Sequence, residues 1–147
     1  MAAIRRAEVT WSGDLMGGSG VIVGTTSGAV AGLPVTWASR IEAPDGRTSP
    51  EELVAAAHAS CFSMAFSARL AGNGTPPERL SVTAAVTIEK AETGWRIVSS
   101  ALTVKGRVPG IDASRFAALA EAAKDGCPMS VALKGNVTLS VEPTLEA

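Results

Sequence analysis

The amino-acid sequence predicts an α+β fold, because segments with the alternating pattern of strands are clustered along the chain and do not take regular turns with helices. One long apolar segment, residues 50–70, separates two groups of strands and opens on a strong helix start. The chain has 147 residues, of which 46% are hydrophobic, and can therefore bury a sizeable core. We expect a single domain over residues 1–147.

Three short segments near the N-terminus alternate apolar and polar residues, which is typical of a strand meander. Turn-forming residues separate them at Gly13-Asp14 and Ser27-Gly28. Their apolar positions are Ala7, Val9 and Trp11, then Val21 and Val23, then Leu33, Val35 and Trp37.

The strongest helix start is residues 49–52, Ser-Pro-Glu-Glu. Serine suits the N-cap, proline suits the first helical position, and a glutamate three residues after the cap suits a capping box. The helix is expected to run from Pro50 to about Leu70, where glycines follow at 72 and 74. It is apolar on nearly every face, which predicts a buried helix and favours a second copy of the chain as a further covering surface.

The second half of the chain predicts two long strands, a helix and a last strand. Residues 80–88 and 98–104 alternate as half-buried strands do. Asp112 opens a helix that closes on residues 124–126, Lys-Asp-Gly. One more helical turn is expected over residues 130–133 and a final strand over residues 137–142.

Composition limits the partners and the compartment. A net charge of −1 and a pI of about 5.8 leave no basic stripe, so we expect neither nucleic acid nor an anionic membrane as a partner. The N-terminal residues lack the pattern of a signal peptide. The most apolar stretch, residues 53–66, is shorter than the ~20 residues that a bilayer requires. These features indicate a cytoplasmic protein.

Two cysteines, Cys61 and Cys127, are the residues that most narrow the function. In a reducing compartment such residues are more often reactive or metal-binding than structural. His58 lies three residues before Cys61 on the same helix face. This spacing suggests the Cys-His pair of a hydrolase or, together with Cys127, three ligands for zinc. No oxyanion-hole motif and no Cys-x-x-Cys pair accompany them, so we expect a supporting or packing role for His58 and no metal.

Three segments of the chain resemble the OsmC/Ohr family of organic hydroperoxide reductases. They are residues 49–65, 108–116 and 126–130, and the last of these reads Gly-Cys-Pro-Met-Ser. The opening Trp-Ser-Gly-Asp at residues 11–14 makes the resemblance closer to the OsmC branch. The resemblance implies antiparallel sheets around a long buried central helix, and an intertwined homodimer that acts as a thiol peroxidase.

The resemblance also implies roles for four residues. Cys61 matches the family's peroxidatic cysteine, Cys127 its resolving cysteine, Arg40 the arginine that holds the thiolate, and Glu51 the glutamate that orients this arginine. Arg47 is the second candidate for the arginine. The implied substrate is an organic hydroperoxide and the implied reductant a dithiol such as a lipoyl group, with no cofactor.

The reaction requires the thiolate of Cys61, yet a free thiol with a pKa near ~8.5 is mostly protonated at neutral pH. Burial in an apolar helix would raise this pKa, so a positive partner is needed. Glu51 and Cys61 are ten positions apart, or ~15 Å along one helix. Either Arg40 bridges this gap or, as we favour, Glu51 comes from a partner helix that runs antiparallel.

Two other classes of function remain open from the sequence. The same apolar surface would suit a non-catalytic binding protein for an apolar ligand. The Cys-His pair would suit a hydrolase.

Overall fold

The computed structural model describes residues 1–147 and confirms the α+β class. The chain forms two compact units, residues 1–53 and residues 54–147. The elements in order are β1 (Ala7–Ser12), β2 (Ser19–Thr25), β3 (Leu33–Val35), α1 (Trp37–Ile41), α2 (Pro50–Gly72), β4 (Arg79–Ala91), β5 (Gly94–Arg107), α3 (Ala113–Gly126), α4 (Pro128–Leu133) and β6 (Thr138–Leu145).

The predicted meander is the antiparallel sheet β1-β2-β3 of the first unit. Ala7 pairs with Thr25 and Ser12 with Ser19 across the first hairpin. Gly20 on β2 lets the indole of Trp11 cross the strand, since a Cβ at this position would lie 2.7 Å from Cε3 of the ring. The strand positions expected from alternation are confirmed up to Val35.

A short helix, α1, follows β3 where the sequence had predicted more strand, so the assignment of Trp37 to a strand is wrong. Thr36 is its N-cap: the Thr36 hydroxyl accepts from the Ser39 amide at 3.0 Å, and the Ser39 hydroxyl accepts from the Thr36 amide at 3.0 Å. This reciprocal capping turns the chain out of the sheet after Val35 and places Arg40 on a helix.

The predicted start of α2 is confirmed. The Ser49 hydroxyl accepts from the Glu52 amide at 3.1 Å, as an N-cap serine does. The Glu52 carboxylate accepts a hydrogen bond from the Thr48 hydroxyl at 3.0 Å. The helix ends at Gly72, two residues beyond the predicted Leu70.

The sheet of the second unit has the order β4-β5-β6. β4 and β5 form a long antiparallel hairpin, with Arg79 opposite Arg107. β6 pairs with β5 in parallel, so the expected antiparallel pairing fails at this strand. The chain between β5 and β6 passes through α3 and α4, and such a crossover returns the next strand in the same direction.

One stripe of α2 carries the core of this unit. Four residues at a spacing of four are buried along it: His58, Phe62, Phe66 and Leu70. The ring of Phe66 lies 5.0 Å from that of Phe116 on α3, centroid to centroid. Each buried phenylalanine contributes about 1.5–3 kcal/mol relative to an exposed one, so this stripe fixes α2 against the rest of its unit.

The opposite stripe of α2 is exposed in the single chain, although the helix was expected to be buried with a second copy of the chain as a further covering surface. Its residues are Glu52, Ala56, Ser60, Met64 and Ala68. Met64 is 68% exposed although its side chain is apolar.

By length and composition α2 is also the one helix that could cross a bilayer, with 23 residues and a mean hydropathy of 1.2 over an 18-residue window. Core helices of water-soluble proteins pass the same test, and α2 contributes Phe62, Phe66 and Leu70 to the core of residues 54–147.

The helices after β5 match the sequence predictions. The Asp112 carboxylate accepts from the Arg115 amide at 2.8 Å and caps α3. The predicted helical turn is α4, which begins two residues earlier than expected, at Pro128. Cys127 is the junction between α3 and α4.

Candidate active site

The structure brings the two cysteines together. Both are free thiols, and the side chain of Cys127 lies close enough to that of Cys61 to raise the pKa of the Cys61 thiol. Cys61 is half-buried on α2, whereas Cys127 has an exposed fraction of 0%. The sequence left open whether these residues meet in space, and within residues 54–147 they do.

Cys127 is fixed by its own backbone. Its amide donates to the carbonyl of Ala123 at 2.8 Å and ends α3, and its carbonyl accepts from the Val131 amide at 2.9 Å in the first turn of α4. Pro128 is the first residue of α4, where its missing N–H leaves no unpaired donor. Both backbone polar groups of Cys127 are therefore hydrogen-bonded, which holds the chain in place at this helix end.

Cys61 also lies close to the beginning of α4, where an interaction with the backbone of Met129 lowers the pKa of its thiol. A backbone N–H directed at the sulfur has this effect, because it favours the thiolate. One thiol and one amide from neighbouring positions, Cys127 and Met129, therefore converge on the same sulfur.

The net effect of this environment is to raise the pKa of the Cys61 thiol above its ordinary value. Burial is the largest cause, because it penalises the thiolate, and the neighbouring Cys127 side chain raises the pKa further. The Met129 backbone opposes both of them. A raised pKa means a smaller thiolate fraction at neutral pH, so reaction at this sulfur needs an additional stabilising charge.

Arg40 and Glu51 form a two-pronged ion pair within residues 1–53. Arg40 Nε donates to Oε1 and Oε2 of Glu51 at 3.0 and 3.1 Å, and Nη2 donates to Oε1 at 2.8 Å. The Glu51 side chain is 7% exposed and that of Arg40 32%. The Arg40 guanidinium also lies 5.7 Å from the ring centroid of Trp37. Such a fork holds the guanidinium in one orientation.

Arg47, the second candidate for this role, is in a different setting. It is exposed, at the end of the 43–47 loop, and its backbone amide donates to the carbonyl of Pro44 at 2.9 Å. Its side chain forms no ion pair. The structure therefore makes two pairs of the four predicted residues, Cys61 with Cys127 and Arg40 with Glu51.

His58 is buried and both of its ring nitrogens are engaged. Nδ1 lies 2.7 Å from the hydroxyl of Ser100 on β5, and Nε2 lies 2.9 Å from the hydroxyl of Ser130 on α4. Burial lowers the pKa of His58, so the ring is neutral at pH 7. Because both nitrogens are occupied, neither is free to deprotonate Cys61 or to bind zinc.

The chain has no group of three or more His, Cys, Asp and Glu side chains placed to hold a metal ion. The serine partners of His58 were not predicted from the sequence. One signal pointed to Ser100, since it alternates with the buried Leu102 and Val104 and therefore faces inward on β5.

The fold and the facing thiols define a small α+β protein with a dithiol site. A family model described as OsmC-like protein matches residues 43–142. Peroxiredoxin OsmC of Escherichia coli strain K12 is 41% identical over 142 residues, which cover 97% of this chain and 98% of that protein. The chain belongs to the OsmC family, as the resemblance of its motifs implied.

Two further relatives carry names from the Ohr branch. Organic hydroperoxide resistance protein OhrA of Bacillus subtilis strain 168 is 35% identical over 97 residues, which cover 65% of this chain and 66% of that protein. The crystal structure of OhrB of Bacillus subtilis matches with a TM-score of 0.73 at 26% identity, over 95% of this chain and 98% of that one. The family's role is therefore of the peroxidase type, an oxidoreductase function.

The environment of Cys61 predicts how its reactivity depends on pH. In the folded protein the alkylation rate with iodoacetamide should rise with a midpoint above that of the protein in denaturing urea, because the raised pKa of Cys61 depletes the thiolate. Replacing Cys127→Ala removes one cause of the rise and opens the site to water. The midpoint should then shift to lower pH, and a midpoint that stays the same or moves up would contradict the described contact.

Proposed function

We propose that this protein is a cysteine-based peroxidase that reduces organic hydroperoxides to alcohols in the cytoplasm. The contact between the Cys61 and Cys127 thiols is the observation that carries the proposal. A single thiol would form a sulfenic acid with no partner, whereas two thiols in contact can close a disulfide before further oxidation.

The proposed reaction has two steps. The Cys61 thiolate attacks the distal oxygen of the hydroperoxide, the O–O bond breaks, and the alkoxide takes a proton and leaves as the alcohol. The sulfenic acid on Cys61 then condenses with the Cys127 thiol, which forms the disulfide and releases water. An external dithiol, proposed to be of the lipoyl type, exchanges with this disulfide and returns both thiols.

The preference for organic hydroperoxides is supported by the names of the Ohr relatives and less by the apolar residues near Cys61. Three apolar residues of α2 lie near Cys61 in the sequence: Phe62, Met64 and Phe66. Phe62 and Phe66 are fully buried in the core, so they are packing residues, and Met64 faces outward.

The raised pKa of Cys61 needs a charge that stabilises the thiolate, and Arg40 is our candidate. The Glu51 carboxylate holds its guanidinium in a fixed orientation at the start of α2. We propose that this guanidinium reaches a Cys61 thiolate in the working protein, either in the same chain or across a homodimer. Arg47 has no such support.

We also propose a homodimer in which a second copy covers the exposed stripe of α2. The stripe carries small or apolar side chains at Ala56, Met64 and Ala68. The opposite side of the same helix packs into the core. Exposed apolar surface of this kind marks an interface more often than free surface.

A binding protein for an apolar ligand is the competing function. It would use the same surface of α2 but would leave the thiols unchanged in the presence of peroxide. The Cys-His hydrolase is disfavoured, because both nitrogens of His58 bond to serines.

Thiol counting tests the proposed reaction. One equivalent of cumene hydroperoxide should consume both thiols of the reduced protein. Cys127→Ser should instead accumulate a sulfenic acid at Cys61 that dimedone traps, and Cys61→Ser should retain its remaining thiol. Hydrogen peroxide should react more slowly in each case. Unchanged thiols in the parent protein would reject the peroxidase and favour the binding protein.

Paired arginine variants test the source of the positive charge. Arg40→Met is made together with Glu51→Gln, so that no unpaired carboxylate stays buried. This double variant should raise the pKa of Cys61 and slow its reaction with cumene hydroperoxide about tenfold or more, since one pKa unit is ~1.36 kcal/mol. Arg47→Met is the matched control and should react like the parent. The reverse ranking would assign the role to Arg47.

A measurement of the oligomeric state tests whether the exposed stripe of α2 is a dimer interface. Small-angle scattering should give the mass of a dimer, and Met64→Lys should shift the protein to a monomer, because a buried lysine would lose its hydration. Val131→Lys replaces another exposed apolar residue, 57% exposed on α4, and should leave the dimer intact. A monomeric parent protein would overturn the proposed interface.

A further inference from the structure

We propose that His58 is a positioning residue that, through its hydrogen bond to Ser130, holds α4 against α2 and so keeps Cys127 and the Met129 amide at the sulfur of Cys61. The inference rests on the proposed peroxidase function for its biological meaning. Its geometry does not depend on that function.

The bond joins distant parts of the chain inside the core. His58 Nε2 lies 2.9 Å from the Ser130 hydroxyl, although the two residues are 72 positions apart. His58 has an exposed fraction of 0% and Ser130 of 2%. The other ring nitrogen is 2.7 Å from the hydroxyl of Ser100, so β5 fixes the rotation of the imidazole.

α2 and the start of α4 also lie close together at the two thiols, one helical turn from the His58–Ser130 bond. His58 precedes Cys61 by three positions on α2, and Ser130 follows Met129 directly on α4. A shift of α4 that breaks the His58–Ser130 bond would therefore also displace the Met129 amide and Cys127. Since the pKa of Cys61 responds to both groups, the imidazole controls the reactive sulfur without touching it.

The His58–Ser130 bond is also independent of the redox state of the thiols. The contacts of Cys61 with Cys127 and Met129 involve the sulfur that is oxidised, so they change when it carries oxygen or enters a disulfide. The imidazole and the serine hydroxyl undergo no such change. They can hold α4 in place while Cys61 is a sulfenic acid, which is the state with which the Cys127 thiol must react.

The neutral state of the ring suits this role. A neutral imidazole has one donor and one acceptor nitrogen, and a serine hydroxyl can donate or accept, so both bonds can form at once. Burial lowers the pKa of His58 and keeps this state at neutral pH.

A pair of serine variants separates positioning from a general contribution to stability. Ser130→Ala and Ser100→Ala each remove one hydroxyl and leave one buried nitrogen of His58 unpaired, so both should destabilise the fold to a similar extent. Only Ser130→Ala frees α4. Ser130→Thr keeps the hydroxyl and serves as the conservative variant.

Two readouts report on the thiols directly. The first is the rate of disulfide formation with diamide, which oxidises adjacent thiols without peroxide, and the second is the pH midpoint of Cys61 alkylation. Ser130→Ala should slow disulfide formation about tenfold, a factor equal to ~1.4 kcal/mol, and should move the midpoint. Ser100→Ala should stay within about twofold of the parent, and Ser130→Thr should recover most of the rate.

Variants of the imidazole itself provide a second test if Ser130→Ala does not fold. An Asn side chain places its amide near the position of Nδ1, which faces Ser100, and a Gln side chain reaches further, toward the position of Nε2. His58→Gln should therefore retain fast disulfide formation and His58→Asn should lose it.

Equal effects of the two serine variants on both readouts would overturn the inference, as would faster disulfide formation in His58→Asn than in His58→Gln. Failure of the proposed function gives a different pattern. In that case cumene hydroperoxide leaves the thiols of every variant unchanged, while diamide still distinguishes Ser130→Ala from Ser100→Ala.

Discussion

The contact between the thiols of Cys61 and Cys127 is the constraint on which the proposed chemistry depends. The chain keeps the two residues 66 positions apart, 127 minus 61, so the contact exists only because the fold makes it. A buried stripe on α2 fixes one sulfur, and the junction between α3 and α4 fixes the other. The buried imidazole of His58 joins these two supports one helical turn away.

The same packing creates an electrostatic problem. Burial brings the thiols together but also favours the protonated form of Cys61, which cannot attack a peroxide. The Met129 amide offsets part of this cost. The remainder calls for a positive charge, and our proposed source is the Arg40 guanidinium, which the nearly buried Glu51 carboxylate holds in a fixed orientation. An arginine suits this role because it stays charged and binds a carboxylate through two bonds.

Local features of the fold could be predicted from the sequence, because caps and alternation depend on neighbouring residues. The Ser49 and Asp112 caps and the strands after Gly74 are examples. α1 was missed, since five residues are too few for a helical period. The direction of β6, the thiol contact and the serine partners of His58 depend on the tertiary fold, and residue patterns do not encode them. The expected roles of Arg40 and Glu51 came from the family resemblance, because by themselves these residues look like ordinary surface and first-turn charges.

Mapping the disulfide that an organic hydroperoxide produces tests most directly whether Cys127 resolves the oxidised Cys61. After brief exposure to cumene hydroperoxide, non-reducing electrophoresis followed by peptide mass spectrometry would identify the linked cysteines. We expect one bond, between Cys61 and Cys127 of the same chain, and a band at the mass of a single chain. A bond between two chains, or a sulfinic acid on Cys61 with Cys127 still reduced, would contradict the account, because either shows that Cys127 does not resolve the oxidised sulfur beside it.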